Sequence, residues 1–204
     1  MFHKFFSTTL LLMCLVSSLR SQDLVEFSMG SGYLYDIYYS LNNGITAYPE
    51  RTNWDLAFST DPYDNNIRIN SGNGVVLYQV SENINDWDQI TSMPSNATQL
   101  RNSNIDWTLG AFVSNPSGEL NYGWGDYNLA NQSIEGTRIY IINYGSFGQS
   151  ISKKIKINSL INGVFNFTIA NLDGSNEANW SIDGNQYLDK KFIYYSILNN
   201  EIID

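Results

Sequence analysis

The chain has 204 residues, 43% of them hydrophobic and 14% aromatic, only 15% charged, and a formal net charge of -9. An acidic balance of this size repels nucleic acid and anionic membrane, so binding to either through bulk electrostatics is excluded. The single His3 and single Cys14 both fall in the first 21 residues. Those residues read as a secretory signal: Lys4 in a polar head, an apolar run from Thr8 to Leu19, and small residues at Ser18 and Ser21 that place cleavage after Ser21. The apolar run is shorter than the roughly 20 residues a spanning helix needs, and no later segment approaches that length. Lipid attachment at Cys14 would need small residues where Leu12 and Met13 stand. The expectation is an exported domain over residues 22–204, with 9 basic against 20 acidic side chains and neither histidine nor cysteine. No disulfide can form in it, so its core must hold it.

From Gln22 onward the segments are short and rich in aromatic or β-branched residues, with Asn, Gly, Asp and Ser between them. Tyr33 to Leu41 reads as a strong strand or a pair. Asn42-Asn43-Gly44 is a hairpin signal, since Asn and Gly tolerate positive φ, and Ile45 to Tyr48 returns antiparallel. Asn53-Trp54-Asp55-Leu56-Ala57-Phe58 is a strand, Ser59 to Asn66 a polar loop, Ile67 to Ile69 a second strand, and Gly72-Asn73-Gly74 a turn into Val75 to Val80. Asn83 to Met93 lacks a period of two and suits a short helix. Residues 95–125 are the least regular.

A meander follows. Arg138 to Tyr144 reads as a buried strand, turned at Gly145 to Gln149 into Ile151 to Ile157, where Ile155 and Ile157 share one face and Lys154 and Lys156 the other. Asn162-Gly163 leads into Val164 to Ile169, turns follow at Asp173-Gly174 and Asp183-Gly184, and Lys191 to Ile197 is the last strand. Ile37-Tyr38-Tyr39-Ser40 and Ile193-Tyr194-Tyr195-Ser196 are identical, which suggests similar environments for the two strands. The pattern predicts one all-β, mainly antiparallel domain, with sandwich and barrel both open.

Without His or Cys after residue 21, Ser-His-Asp and Cys-His nucleophile systems, ordinary zinc sites and blue-copper sites are excluded. The expectation is a protein that is not an enzyme. Carboxylate hydrolysis stays open through Asp55, Asp86, Asp88, Asp106 and Asp126, each beside an aromatic or in a polar turn. Asp173-Gly174-Ser175-Asn176-Glu177 offers oxygen ligands but lacks the spacing of a calcium loop, and reads as a solvated turn. Trp107, Tyr122, Trp124 and Tyr127 cluster in the irregular region and are candidates for an exposed aromatic surface that stacks on a glycan or a planar ligand.

Several of these stretches together resemble the HmuY-like proteins secreted by Bacteroidota. The carriers are Ile37 to Leu41, the Asn53 to Phe58 strand, Ile69 to Gly74, Arg138 to Ile142 with Lys153-Lys154-Ile155, and Phe192 to Ser196. The resemblance implies an exported all-β binding protein that captures haem for iron acquisition, with an outer-membrane receptor as partner. Bis-histidine ligation, the founding type's mode, has no counterpart here. By the same resemblance to relatives that use methionine, Met93 and Met29 are the axial-ligand candidates.

Overall fold

The computed structural model describes residues 24–145 and 150–203; the predicted signal sequence and most of the Gly145 to Gln149 turn lie outside them. The fold is all-β. Among the described residues every strand pair is antiparallel, and the helical elements are short 3-10 segments, the longest being Ile84–Gln89. The strands in chain order are β1 (Tyr38–Ser40), β2 (Gly44–Ala47), β3 (Leu56–Ser59), β4 (Ile67–Ile69), β5 (Val76–Ser81), β6 (Thr98–Leu100), β7 (Gly125–Asn128), β8 (Ser133–Gly136), β9 (Ile139–Tyr144), β10 (Ile151–Ile161), β11 (Val164–Asn171), β12 (Ala178–Asp183), β13 (Phe192–Ser196) and β14 (Glu201–Ile203).

They form three sheets. The largest runs β12-β11-β10-β9-β5-β6, with β8 on the far half of β10 and β7 on β8. The 11-residue β10 makes this possible: Ile151 to Ile155 pairs with β9, a bulge follows between Ile157 and Ser159, and Ser159 and Leu160 then pair with β8. A bulge bends and twists the strand, so one strand serves two neighbours in different directions. The Asn162-Gly163 hairpin between β10 and β11 has both residues at positive φ (51° and 77°), the geometry a two-residue turn between twisted strands requires. A four-stranded sheet, β14-β13-β3-β4, packs one face against the large sheet.

The core lies between these two sheets. Phe58 of β3 sits 5.3 Å from Phe165 and 5.4 Å from Phe167 of β11, and Tyr195 of β13 sits 5.3 Å from Phe167. Leu56, Phe58, Ile67, Ile69, Ile193 and Tyr195 all point inward from the small sheet. Burying each such side chain contributes roughly 1.5–3 kcal/mol, which lets the domain dispense with disulfides.

The large sheet's other face is covered as well. Lys154, on the polar side of β10, is 1% exposed because the 3-10 turn Ile84–Gln89 lays Trp87 over it. Lys154 Nζ donates to the Trp87 carbonyl (2.8 Å), Lys154 and Lys156 lie 4.8 and 4.6 Å from the indole centroid, and Trp87 Nε1 donates to Glu177 (2.7 Å). A cation against an indole face recovers part of its lost hydration.

The third sheet is the hairpin β1-β2, which pairs only with itself. The expected Tyr33 to Leu41 strand is confined to Tyr38–Ser40, preceded by a 3-10 turn at Ser31–Tyr33. The two identical tetrapeptides also differ from the expectation of similar environments: Ile193, Tyr195 and Ser196 are buried, whereas no residue from 24 to 54 is. The next six residues, 55–60, are all buried.

Candidate functional site

Strand parity builds the site. In the small sheet Tyr194 lies opposite Ile203 on one side and Ala57 on the other, and Ala57 opposite Arg68. With alternate residues inward, this row of Ile203, Tyr194, Ala57 and Arg68 crosses the sheet's outer face, with Phe192 beside it. Trp54, just ahead of β3, brings its ring to 4.9 Å from that of Tyr194. Asn70 fixes the backbone there. It is buried, and its Nδ2 donates to the carbonyls of Arg51 (2.7 Å) and Trp54 (2.9 Å) while Oδ1 accepts from the Asn73 N–H.

Over this outer face lies a cleft of about 310 Å³. Trp54, Phe192, Tyr194 and Ile203 line it from the sheet, Asp36, Tyr38, Pro49 and Glu50 from the N-terminal segment, and Lys190 and Lys191 from the turn before β13. Thr60 fixes that turn: its N–H donates to the Lys191 carbonyl and its hydroxyl to the Lys190 carbonyl. A second, more polar cleft of about 450 Å³ shares Lys190 and Lys191 and adds Ser59, Thr60, Asp61, Pro62, Leu188 and Asp189. Burial, with Tyr38 and Asp36 nearby, pushes the Tyr194 phenol up to about 12, so it stays a neutral hydroxyl at physiological pH.

At the far end of the same outer face Arg68 holds down a loop. Its guanidinium donates to the carbonyls of Ser103, Asp106 and Trp107, and its Cζ lies 4.5 Å from the Trp107 ring centroid. The Asn66 amide donates to the Trp107 carbonyl and accepts from Gly110 N–H, while Asn102 both donates to and accepts from the Ile69 backbone, as an added strand would. Gly110 is required at this junction, since a Cβ there would stand 2.1 Å from the Ile67 carbonyl oxygen.

The four aromatics expected to share a surface are separated by this architecture. Trp107 is 69% exposed. Tyr122 and Tyr127 meet edge to face at 6.2 Å, Tyr127 half-buried against the core. Trp124 corrects the expectation: it is fully buried, with Nε1 donating to the Asn65 carbonyl (3.0 Å), and is a core residue. The residues that do converge, Trp54, Tyr38, Phe192 and Tyr194, were not singled out from the sequence as a site. The alternation of Phe192 and Tyr194 against inward Ile193 and Tyr195 was the signal that could have placed two of them.

The methionines are not brought together. Met29 is half-buried in the segment before β1, with its carbonyl accepting from Tyr35 N–H; Met93 is exposed on the loop between the Trp87 turn and β6, and neither lines either cleft. Neither methionine therefore contributes to the aromatic cleft or to its polar neighbour. Among the carboxylates, Asp55 accepts from the Ile197 and Leu198 N–H groups, Asp86 from Ser81 and Asn83, Asp106 from Thr108, and Asp126 from Asn121. Each of these four fastens local backbone or a turn. The Asp173 turn is a closed hydrogen-bonded loop with Ser175, and among the described residues no cluster of three potential metal ligands occurs. Also among the described residues, no helix is long and apolar enough to cross a membrane. No family model, curated protein or solved structure matches this chain.

Proposed function

We propose that this chain is an exported, non-catalytic binding protein of the HmuY-like type that holds a planar ligand against the outer face of the small sheet. The observation that carries this reading is the cleft in which the Trp54 and Tyr194 rings, 4.9 Å apart, form an aromatic wall and which Lys191 also lines. Aromatic walls favour a flat π-system, and a lysine in the lining favours a carboxylate on its periphery. Porphyrins carry both features, and they are the ligand class that the resemblance implies. With the Tyr194 phenol held neutral, the flat ring and its peripheral carboxylates supply the recognition in this reading.

The test is titration with metal-free protoporphyrin IX beside its dimethyl ester, followed by tryptophan fluorescence quenching. The free acid should bind and the ester more weakly. Trp54→Ala should lose roughly tenfold in affinity, the worth of about one stacked pair. Equal affinity for acid and ester, or for wild type and Trp54→Ala, contradicts the proposal.

A second reading, glycan stacking, is favoured by Trp107, exposed on the same face with Arg68 beneath it. It predicts quenching by soluble polysaccharide that is lost in Trp107→Ala and kept in Trp54→Ala.

A further inference from the structure

Residues 24 to 50 differ from the rest of the domain in how they are held. None is buried, although Leu24, Val25, Phe27, Tyr33, Tyr38, Ile45 and Tyr48 are large and apolar or aromatic. Their backbone hydrogen bonds run within the segment or to its hinge: Tyr35 N–H to the Met29 carbonyl, Asp36 N–H to the Pro49 carbonyl, and Arg51 N–H to the Leu34 carbonyl; a side-chain hydrogen bond between Tyr38 and Tyr194 reaches across to the sheet. The one ion pair found among the described residues, Arg51 Nε to Asp36 Oδ1 at 2.9 Å, ties the segment to that hinge. β1 and β2 find no partner in either larger sheet. An isolated two-stranded hairpin is marginal on its own in water.

The hinge itself is fixed. Asn70 holds the Arg51 and Trp54 carbonyls, and burial becomes continuous from Asp55. Beyond it, Asp36, Tyr38, Pro49 and Glu50 form one wall of the aromatic cleft, and the small sheet with the Lys190-Lys191 turn forms the other. At about 310 Å³ the cleft stands at the small end of the roughly 300–1,000 Å³ range of ligand pockets. A ligand of porphyrin size fits only if that outer wall moves.

We propose that residues 24–50 are a flap, hinged at Arg51–Trp54 and latched by the Asp36–Arg51 ion pair, that opens independently of the β-sandwich and controls access to the cleft. Opening exposes little buried surface, so it draws on the low-stability end of the domain's fluctuations. The flap's walls and latch argue for this whatever the occupant.

The test needs no ligand. In a Cys14→Ser background, Phe192→Cys puts the chain's only thiol on the sheet side of the cleft, and Tyr63→Cys puts it at a 96% exposed control position. Labelling with a soluble disulfide reagent should be roughly tenfold or more slower at position 192 than at 63. Adding Asp36→Ala should speed labelling at 192 by several-fold while leaving the global unfolding midpoint and the rate at 63 unchanged. To guard against damage by Phe192→Cys, Asn53→Cys, on the same cleft, serves as a second probe site. If Asp36→Ala leaves labelling unchanged at both cleft positions, or labelling accelerates only in step with a fall in the unfolding midpoint, the flap is overturned.

Discussion

The tetrapeptide Ile-Tyr-Tyr-Ser occurs at residues 37–40 and 193–196, and the two copies meet opposite fates. In β13 it is paired on both sides, by β3 and β14; Ile193 and Tyr195 enter the core and Tyr194 lines the cleft. In β1 the same residues have one partner, β2, and Tyr38 and Tyr39 are 50% and 38% exposed. Local preference makes both copies extended, but burial is decided by what the chain places on either side. The contrast divides the molecule into a packed sandwich and a lightly held flap, with the cleft where the two copies face each other through Tyr38 and Tyr194.

Matched substitutions sharpen that contrast. Tyr195→Ala should be the most damaging, at about 3–5 kcal/mol in a urea melt, because the ring packs on Phe167 and Trp180 and its hydroxyl donates to Asn200. Asn70→Ala should cost about 2 kcal/mol by leaving the Arg51 and Trp54 carbonyls without their donor, and should loosen the hinge as it does so. Tyr39→Ala, the flap counterpart of Tyr195→Ala, should change stability by no more than about 0.5 kcal/mol. A Tyr39→Ala cost equal to that of Tyr195→Ala would erase the distinction between the two regions.

A pH series probes the junction from the other side. Asp55 is the first buried residue after the hinge, and burial pushes its carboxyl above the ordinary 3.8 while the Ile197 and Leu198 N–H groups pull it down. A carboxyl raised in the fold contributes stability while protonated, below 3.8, and that contribution is lost as pH rises through the folded-state value. Melting wild type and Asp55→Asn at a series of pH values should therefore show the difference moving against wild type as pH rises above 3.8. Asp106, Glu135, Asp173 and Asp183 are all held below the usual range, chiefly by side-chain hydrogen bonds. Their effect runs the opposite way and is common to both proteins, so it cancels in the comparison. A difference that is flat with pH, or that grows in favour of wild type, would contradict the burial argument for Asp55.

Much of the fold was legible because it rests on local chemistry. Asn162-Gly163 turns with both residues at positive φ, the Asn42-Asn43-Gly44 turn puts Gly44 there, and the Asn53 to Val76 stretch gives the β3-β4 hairpin and then β5. The site was less legible because it is assembled from residues far apart in the chain, around 36–54 and 190–203, joined only by sheet pairing. The aromatics show why composition misleads. Trp107 and Trp124 stand in equally irregular sequence, yet one is held outside by Arg68 and the other is drawn inside by the Asn65 carbonyl and the core. Lys154 shows the same limit: its face of β10 alternates as a solvated one would, and only the distant Trp87 covers it.

The central claim, a rigid sandwich whose aromatic cleft is closed by a mobile flap over a planar ligand, is tested most directly by residue-resolved hydrogen exchange with and without protoporphyrin IX. Amides of Tyr38 to Ala47 should exchange roughly a hundredfold or more faster than those of β3 and β13, and should slow towards them when the porphyrin is added. Exchange of flap and sandwich at one common rate, or flap exchange unchanged by saturating porphyrin, would contradict it.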